Sequence, residues 1–386
     1  MPTSKAKNLL YKFMLPLSAP AVPDEPIAAV QGRHLRNEKD LMTIIRRCHI
    51  TGGALLFCSG DKSAVIFTKS YHTDKIPEPG TYFRVASITK MAAALVAVYL
   101  IDCGILDPDK PASDIIPGCG NIPELRHVTA GRLLSHTSGI IDPPDLENKL
   151  IHRMPLQEAV TGCVNASSDG AFRYSNLGYG ILGCIFESLL NLSVEDIFQK
   201  YLFNPLGMDA TLEGCSLIPE NIMPVVRILP YHPEKALTVT ELGKKPLNGP
   251  DPLYHYGHTA GSMYITLSSL SVLLRCIRDG GSPLISGGYA SYMKTEKAKY
   301  GKISPTLSYG SGLLLVRDAR ISDSMVIGHQ GFAYGCVDGA FWEENTGNIM
   351  ISLNGGCSER RIGRLGAVNF DLCRFAFRKE LPLWKQ

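Results

Sequence analysis

Residues Ile88 to Cys103, ITKMAAALVAVYLIDC, constrain the fold more than any other stretch of this chain. A helical period brings apolar residues to nearly every side and Gly104 ends the run, so the segment predicts a helix enclosed by protein on all faces. Its most apolar window, Met91 to Ile101, lies between Lys90 and Asp102 and falls short of the roughly 20 residues that cross a bilayer. No membrane span is predicted. The chain must therefore supply a globule large enough to surround this helix, and its 386 residues do so. At about 150 residues per domain the length predicts two or three domains, or one large domain with an insertion.

Lys and Arg (39) against Asp and Glu (36) leave a net charge of +3, with 45% hydrophobic, 19% charged and 8% aromatic residues. That balance excludes a disordered, collagen-like or electrostatic nucleic-acid-binding chain. The eleven cysteines are odd in number, include no C-x-x-C pair and sit mostly among apolar neighbours, as Cys58 and Cys184 do. They read as reduced core residues. The first residues are basic, but Lys12, Pro16, Pro20 and Pro23 break their apolar run and make a poor secretory signal. The expected location is cytoplasmic, with an organellar address the weaker alternative.

Residues 1–30 read as a Pro-rich extension. Asn37 to Cys48 predicts a helix, and Ala54–Cys58 with Ala64–Thr68 a hairpin around Ser59-Gly60-Asp61-Lys62. Between about 110 and 300 the pattern is helical, with segments at Gly131–Leu134, Leu156–Cys163, Leu177–Leu190, Ser193–Tyr201 and Ser268–Arg278. Strand-like runs return at Gly312–Val316, Met325–Ile327, Val337–Phe341 and Ile349–Leu353, spaced as in an antiparallel meander. Arg361 to Lys379 predicts a closing helix. The fold class is therefore α/β in the broad α+β sense: an antiparallel sheet built from both chain ends and flanked by helices, with a mostly α-helical insertion. The expected division is an α/β domain from 31–110 and 300–386, and a helical domain with long loops from 111–299.

S-x-x-K occurs four times, at Ser4/Lys7, Ser59/Lys62, Ser87/Lys90 and Ser291/Lys294. Only Ser87 opens the buried helix. Residues three apart share a helix face, so Lys90 can set its amine beside the Ser87 hydroxyl, and burial lowers the amine's pKa until it accepts the serine proton. An N-cap serine with a snorkelling lysine fits the same letters equally well. Tyr174-Ser175-Asn176 is the only Y-x-N among sixteen tyrosines. A tyrosine near Lys90 is expected to hold a lowered pKa and shuttle the proton, with Asn176 orienting substrate or Lys90. Standing alone, the pair reads as a half-buried aromatic and an N-cap. His329-Gln330-Gly331 follows the Met325–Ile327 run, where the backbone N–H of Phe332 is placed to join that of Ser87 as an oxyanion hole. A lone histidine is more often a polar filler than a ligand or acid. There is no G-x-S-x-G elbow, H-E-x-x-H, Walker A or dinucleotide-binding glycine pattern, and His255-x-x-His258 lacks a third ligand. No metal or cofactor is expected.

With these elements in order, the chain resembles the serine β-lactamase and penicillin-binding-protein superfamily, specifically its class C-like branch of esterases, peptidases and transacylases. FRVASITK, LLSHTSG, FRYSNLGYGILG, GHTAGSMYITLSSLSVLL and GHQGFAYGC carry the resemblance across roughly residues 40 to 380. It implies Ser87 as acylated nucleophile, Lys90 as its proton partner and Tyr174 as general base and acid. It further implies an oxyanion hole from the N–H groups of Ser87 and Phe332, and substrate contacts from Asn176, His329, Gln330 and Gly331. Where members commonly carry K-T-G, this chain has H-Q-G, so affinity for a β-lactam carboxylate is expected to be weak. The implied activity is a cofactor-independent serine hydrolase acting on a small-molecule ester, thioester or amide. The alternative is transfer of the acyl group to an alcohol or amine acceptor. Further off stand an isomerase or cyclase on the same site and a non-catalytic binding protein.

Overall fold

A computed structural model describes residues 21–163, 170–228, 231–233, 246–289, 291–301, 304–378 and 383–385. Nine strands form one antiparallel sheet: β1 (Ile27–Gly32), β2 (Ala54–Ser59), β3 (Lys62–Thr68), β4 (Ala298–Lys299), β5 (Leu307–Tyr309), β6 (Leu314–Val316), β7 (Val326–Ala333), β8 (Cys336–Glu343) and β9 (Ile349–Leu353). Their spatial order is β1-β3-β2-β9-β8-β7-β6-β5-β4. The two chain ends meet where β9 pairs with β2, from Ile349 opposite Cys58 to Leu353 opposite Ala54. This is the sheet expected from the sequence, and its hairpin β2–β3 turns through Gly60 at φ +60°.

Strand alternation sorts the sheet's side chains into two cores. Leu55 and Phe57 of β2 pack with helices α1 (Glu38–Arg47) and α5 (Ala367–Phe377), through Leu41, Ile45, Val368 and Leu372. Leu56 and Cys58 face the other way, toward α2 (Thr89–Asp102), α3 (Asn176–Leu190) and α4 (Leu267–Arg278). All of α2 is buried except Tyr99 and Asp102, as its all-round apolar sequence requires, and Gly104 stops it at φ +69°. A small sheet of Tyr82–Arg84, Tyr264–Thr266 and Ala210–Thr211 leads the chain into α2.

Four expectations need correction or trimming. The segment from Arg361 is not one helix: Arg361–Ile362 and Leu365–Gly366 pair around a turn at Gly363, φ +62°, and α5 begins only at Ala367. β7 runs six residues past Ile327, so His329-Gln330-Gly331 lies inside a strand. The run from Gly312 is strand only from Leu314, because Gly312 takes φ +74° where its backbone passes α2. The mostly helical middle contains short strands, including Val226–Ile228 paired with Tyr231–Pro233. Much of the proline-rich stretch Pro219 to Pro252 lies outside the described residues, as do Ser4, Lys7, Lys379 and most of the 1–30 extension.

Candidate active site

Ser87 sits where the small sheet turns into α2. Ala86 adopts φ +45°, a left-handed conformation that disfavours a residue with a Cβ, and such strain concentrates at functional turns. Two contacts hold it: Thr89 Oγ1 donates to Ala86 O at 2.6 Å and accepts from Met263 N at 3.1 Å. One helical turn on, Lys90 is fully buried (0% exposed). Its Nζ lies 3.1 Å from Ser87 Oγ, 2.8 Å from Asn176 Oδ1 and 2.7 Å from Ala260 O. Burial pulls the amine from its ordinary 10.5 to about 7, helped by the Arg84 charge and opposed by Asp142. Two of these three neighbours are carbonyl oxygens that can only accept. A neutral amine gives its two hydrogens to them, and its lone pair is left for the Ser87 hydroxyl.

Asn176 opens α3, and Asp142 fixes which way its amide points. One Asp142 carboxylate oxygen accepts from Asn176 N (2.9 Å) and Nδ2 (3.0 Å), the other from Leu177 N (2.9 Å) and Ser175 Oγ (2.7 Å). A carboxylate at a helix N-terminus satisfies orphan N–H groups and complements the dipole. Here it also turns Asn176 Oδ1 toward Lys90. The Tyr174 hydroxyl reaches Ser87 Oγ at 2.8 Å, and the residue as a whole is 37% exposed. The lowered tyrosine pKa expected from the sequence is corrected: burial of the hydroxyl raises it, outweighing the hydrogen bond to Ser87. Tyr174 is therefore a phenol at neutral pH, a proton donor rather than a ready base.

Beneath Tyr174 lies His136, its ring 4.3 Å from that of Tyr174 and 4.9 Å from that of Tyr309. Its Nδ1 accepts from Ser175 N at 3.2 Å, and burial with the Lys90 charge holds it well below its ordinary pKa, so it is neutral. A positive φ of 57° at His136 sends this ring inward from the LLSHTSG turn.

The H-Q-G triad divides by strand alternation. Gly331 faces the Ser87 turn so closely that a Cβ would come 2.3 Å from Val85 O. His329 shares that face but lies buried behind it, with Nε2 3.0 Å from the Tyr309 hydroxyl and Nδ1 2.7 Å from Gln330 O. Burial and Lys90 lower its pKa to about 3. Gln330 is a correction: alternation points its side chain to the opposite face, where it bonds Arg364 O and Gly366 N, away from Ser87. Phe332 points its ring the same way, under the Arg361 guanidinium. Its backbone is another matter. Tyr334 and Gly335, at φ +53° and +90°, make a two-residue hairpin between Ala333 and Cys336. The flanking pair exchanges both ladder bonds, so the Phe332 N–H falls on the side away from β8. β6 pairs only with Val326–Gly328, which leaves that edge open beside the Ser87 turn.

The structure thus brings Ser87, Lys90, Tyr174 and Asn176 into one hydrogen-bonded group, of which Ser87 and Asn176 line a cleft of about 400 Å³. Sequence reasoning missed Asp142, His136 and the Ala260 carbonyl. Asp142 is 34 positions from Asn176 with no periodic link to it, and a carbonyl has no sequence signature. The LLSHTSG phrase was the one signal for His136. Among the described residues no cluster of histidine, cysteine or acidic side chains could hold a metal. His255, of the H-x-x-H pair, instead bonds the buried Glu187 at 2.7 Å.

A serine, a buried amine and a phenol are thus joined through Ser87 Oγ. The sequence matches the Beta-lactamase family over residues 36–341, and the chain belongs to that family of serine hydrolases. It is 29% identical over 265 residues to penicillin-binding protein 4 of Amycolatopsis lactamdurans, covering 65% of this chain and 66% of that protein. The chain thus spans just under two thirds of this relative's length. By fold it is similar to a D-amino acid amidase from Ochrobactrum anthropi SV3 (TM-score 0.68, 21% identity, 87% of this chain and 96% of that one). It is also similar to a penicillin-binding protein from Bacillus halodurans (TM-score 0.65, 20% identity, 82% and 95%).

Proposed function

We propose that this protein hydrolyses a small-molecule ester, thioester or amide through an acyl-enzyme on Ser87. The supporting observation is the Lys90 amine, fully buried, with Asn176 Oδ1 and Ala260 O placed to take its hydrogens and Ser87 Oγ 3.1 Å from Nζ. Ser87 gives its proton to Lys90 as Oγ attacks the substrate carbonyl, and the N–H groups of Ser87 and Phe332 receive the negative oxygen. Tyr174 O–H protonates the departing oxygen, sulfur or nitrogen, and the proton taken up by Lys90 restores the phenol. Water then attacks the acyl ester with the same groups in reverse, releasing the acid and free Ser87.

A fluorophosphonate probe with peptide mass spectrometry tests this reading. The expected result is one adduct, on Ser87, lost in Ser87→Ala together with hydrolysis of 4-nitrophenyl esters. No adduct, or an adduct elsewhere, overturns it.

A further inference from the structure

Four charged side chains line the cleft around Ser87: Arg84, Glu147, Arg227 and Glu359. Arg227 and Glu359 form an ion pair, Nε to Oε2 3.2 Å. Glu147 accepts the Tyr334 hydroxyl. Arg84 is different. Among the described residues it has no carboxylate partner, and its guanidinium lies over the Tyr334 ring, 5.1 Å from the centroid. The buried Asp338 is near enough to feel its charge, but its hydrogen bonds come from Asn354 N and Nδ2, not from Arg84. His329, on the strand that borders the site, is buried, bonded to Tyr309 and uncharged, so it adds no cation. Arg84 is therefore the cleft cation with no carboxylate in ion-pair contact among the described residues, three residues before the nucleophile.

A guanidinium over an aromatic ring is attracted to its face and still presents an edge of N–H donors. That edge matches a carboxylate with two parallel hydrogen bonds. We infer that Arg84 is a specificity residue that selects acyl substrates carrying a carboxylate, seated in the cleft beside Tyr334. This rests on the serine-hydrolase reading and names the substrate class for the same site.

The test uses matched ester pairs on the purified full chain. In one pair the carboxylate is on the acyl side, the 4-nitrophenyl monoester of glutarate against 4-nitrophenyl hexanoate. In the other it is on the leaving group, 4-acetoxybenzoate against 4-acetoxytoluene. The readout is the charged-to-neutral ratio of kcat/KM in wild type and in Arg84→Gln, each also checked for a Ser87 fluorophosphonate adduct. Loss of one charge-assisted pair predicts a fall in that ratio of about 10- to 100-fold for at least one pair. Ser87 adducts in both proteins with neither ratio moved overturn the Arg84 assignment alone. No adduct in wild type overturns the hydrolase reading and the assignment with it. The wild type gives a second measurement that needs no variant. Added salt is expected to slow the charged esters more than the neutral ones, and carboxylate esters cleaved no faster than their neutral partners in both pairs overturn the assignment.

Discussion

Lys90 is caught between two demands, because the burial that makes it a base also makes it a burden on the fold. With the amine at about 7, acylation is expected to strengthen as pH rises through that value, since only the neutral form accepts the Ser87 proton. A pH profile of kcat/KM for a neutral 4-nitrophenyl ester checks this, and a flat profile between pH 5 and about 8 argues against Lys90 as the base. The same shift acts on stability. Between about 7 and 10.5 the unfolded chain binds a proton at Lys90 that the folded chain does not, so the unfolding free energy gains a term that rises with pH across that window. Below about 7 both states hold the proton and the folded state carries the full penalty. Denaturant unfolding of wild type and Lys90→Met should therefore differ by an amount that shifts in the wild type's favour as pH rises from 7 to 10. Tyr174→Phe keeps the ring over Lys90 but removes the acid, and a loss of about 10²- to 10⁴-fold in kcat/KM is expected. Much of this group was legible in the sequence: Ser87 and Lys90 share a helix face by spacing alone, and Asn176 follows Tyr174 by two residues. The lowered Lys90 pKa was legible too, but the tyrosine's was not: its raised pKa depends on burial among residues from distant segments, which no local pattern reports.

At the scale of elements, the site depends on two junctions. The first is the start of α3, where Asp142 holds Asn176 and, through it, Lys90. Asp142→Asn removes a charge that holds the Lys90 pKa up and replaces acceptors with an amide, so the rise of kcat/KM with pH is expected to move to lower pH while its plateau falls. A plateau that falls with no movement of the midpoint would indicate lost helix capping alone. The second junction is β7 against the Ser87 turn. Gly331→Ala places a methyl group 2.3 Å from the Val85 carbonyl, and backbone on both sides leaves no flexible side chain to give way. The strand must shift, at a cost of about 1–3 kcal/mol by denaturant unfolding, with kcat/KM reduced beyond what stability explains. The sequence pattern ended this strand at Ile327 because His329, Gln330 and Gly331 break the apolar run. In the fold, Gly331 is required by close approach and Gln330 serves α5, so neither residue follows the alternation that marks a half-buried strand. The segment after Arg361 departs from its pattern for the opposite reason: its apolar residues fit a helical period, while Gly363, at φ +62°, turns the backbone into a hairpin first.

At the scale of the whole molecule, the two ends of the chain close one sheet, and α2 is the element on which the helical part and the sheet both rest. The sequence showed this in outline, since a helix apolar on all sides needs neighbours in every direction. What periodicity could not show is whether those neighbours make one core or two. Leu56 of β2, Trp342 of β8 and Ile351 of β9 belong to the same buried cluster as α2, Leu182 of α3 and Leu273 of α4, so no layer of solvent or loop separates the helical segments from this face of the sheet. Parts that share a core this closely lose it together, and the chain is expected to unfold in one cooperative transition. The two tryptophans make the test a sharp one. Trp342 is 2% exposed within the sheet and Trp384 bridges to Leu35 at its outer layer, so their fluorescence reports the sheet end, whereas far-UV circular dichroism is dominated by the helices. Coincident denaturant curves from the two probes are expected. A fluorescence change that precedes or follows the loss of helix would mean that the segment from about 110 to 300 folds as a separate unit, and that α2 is a boundary between two cores rather than the centre of one.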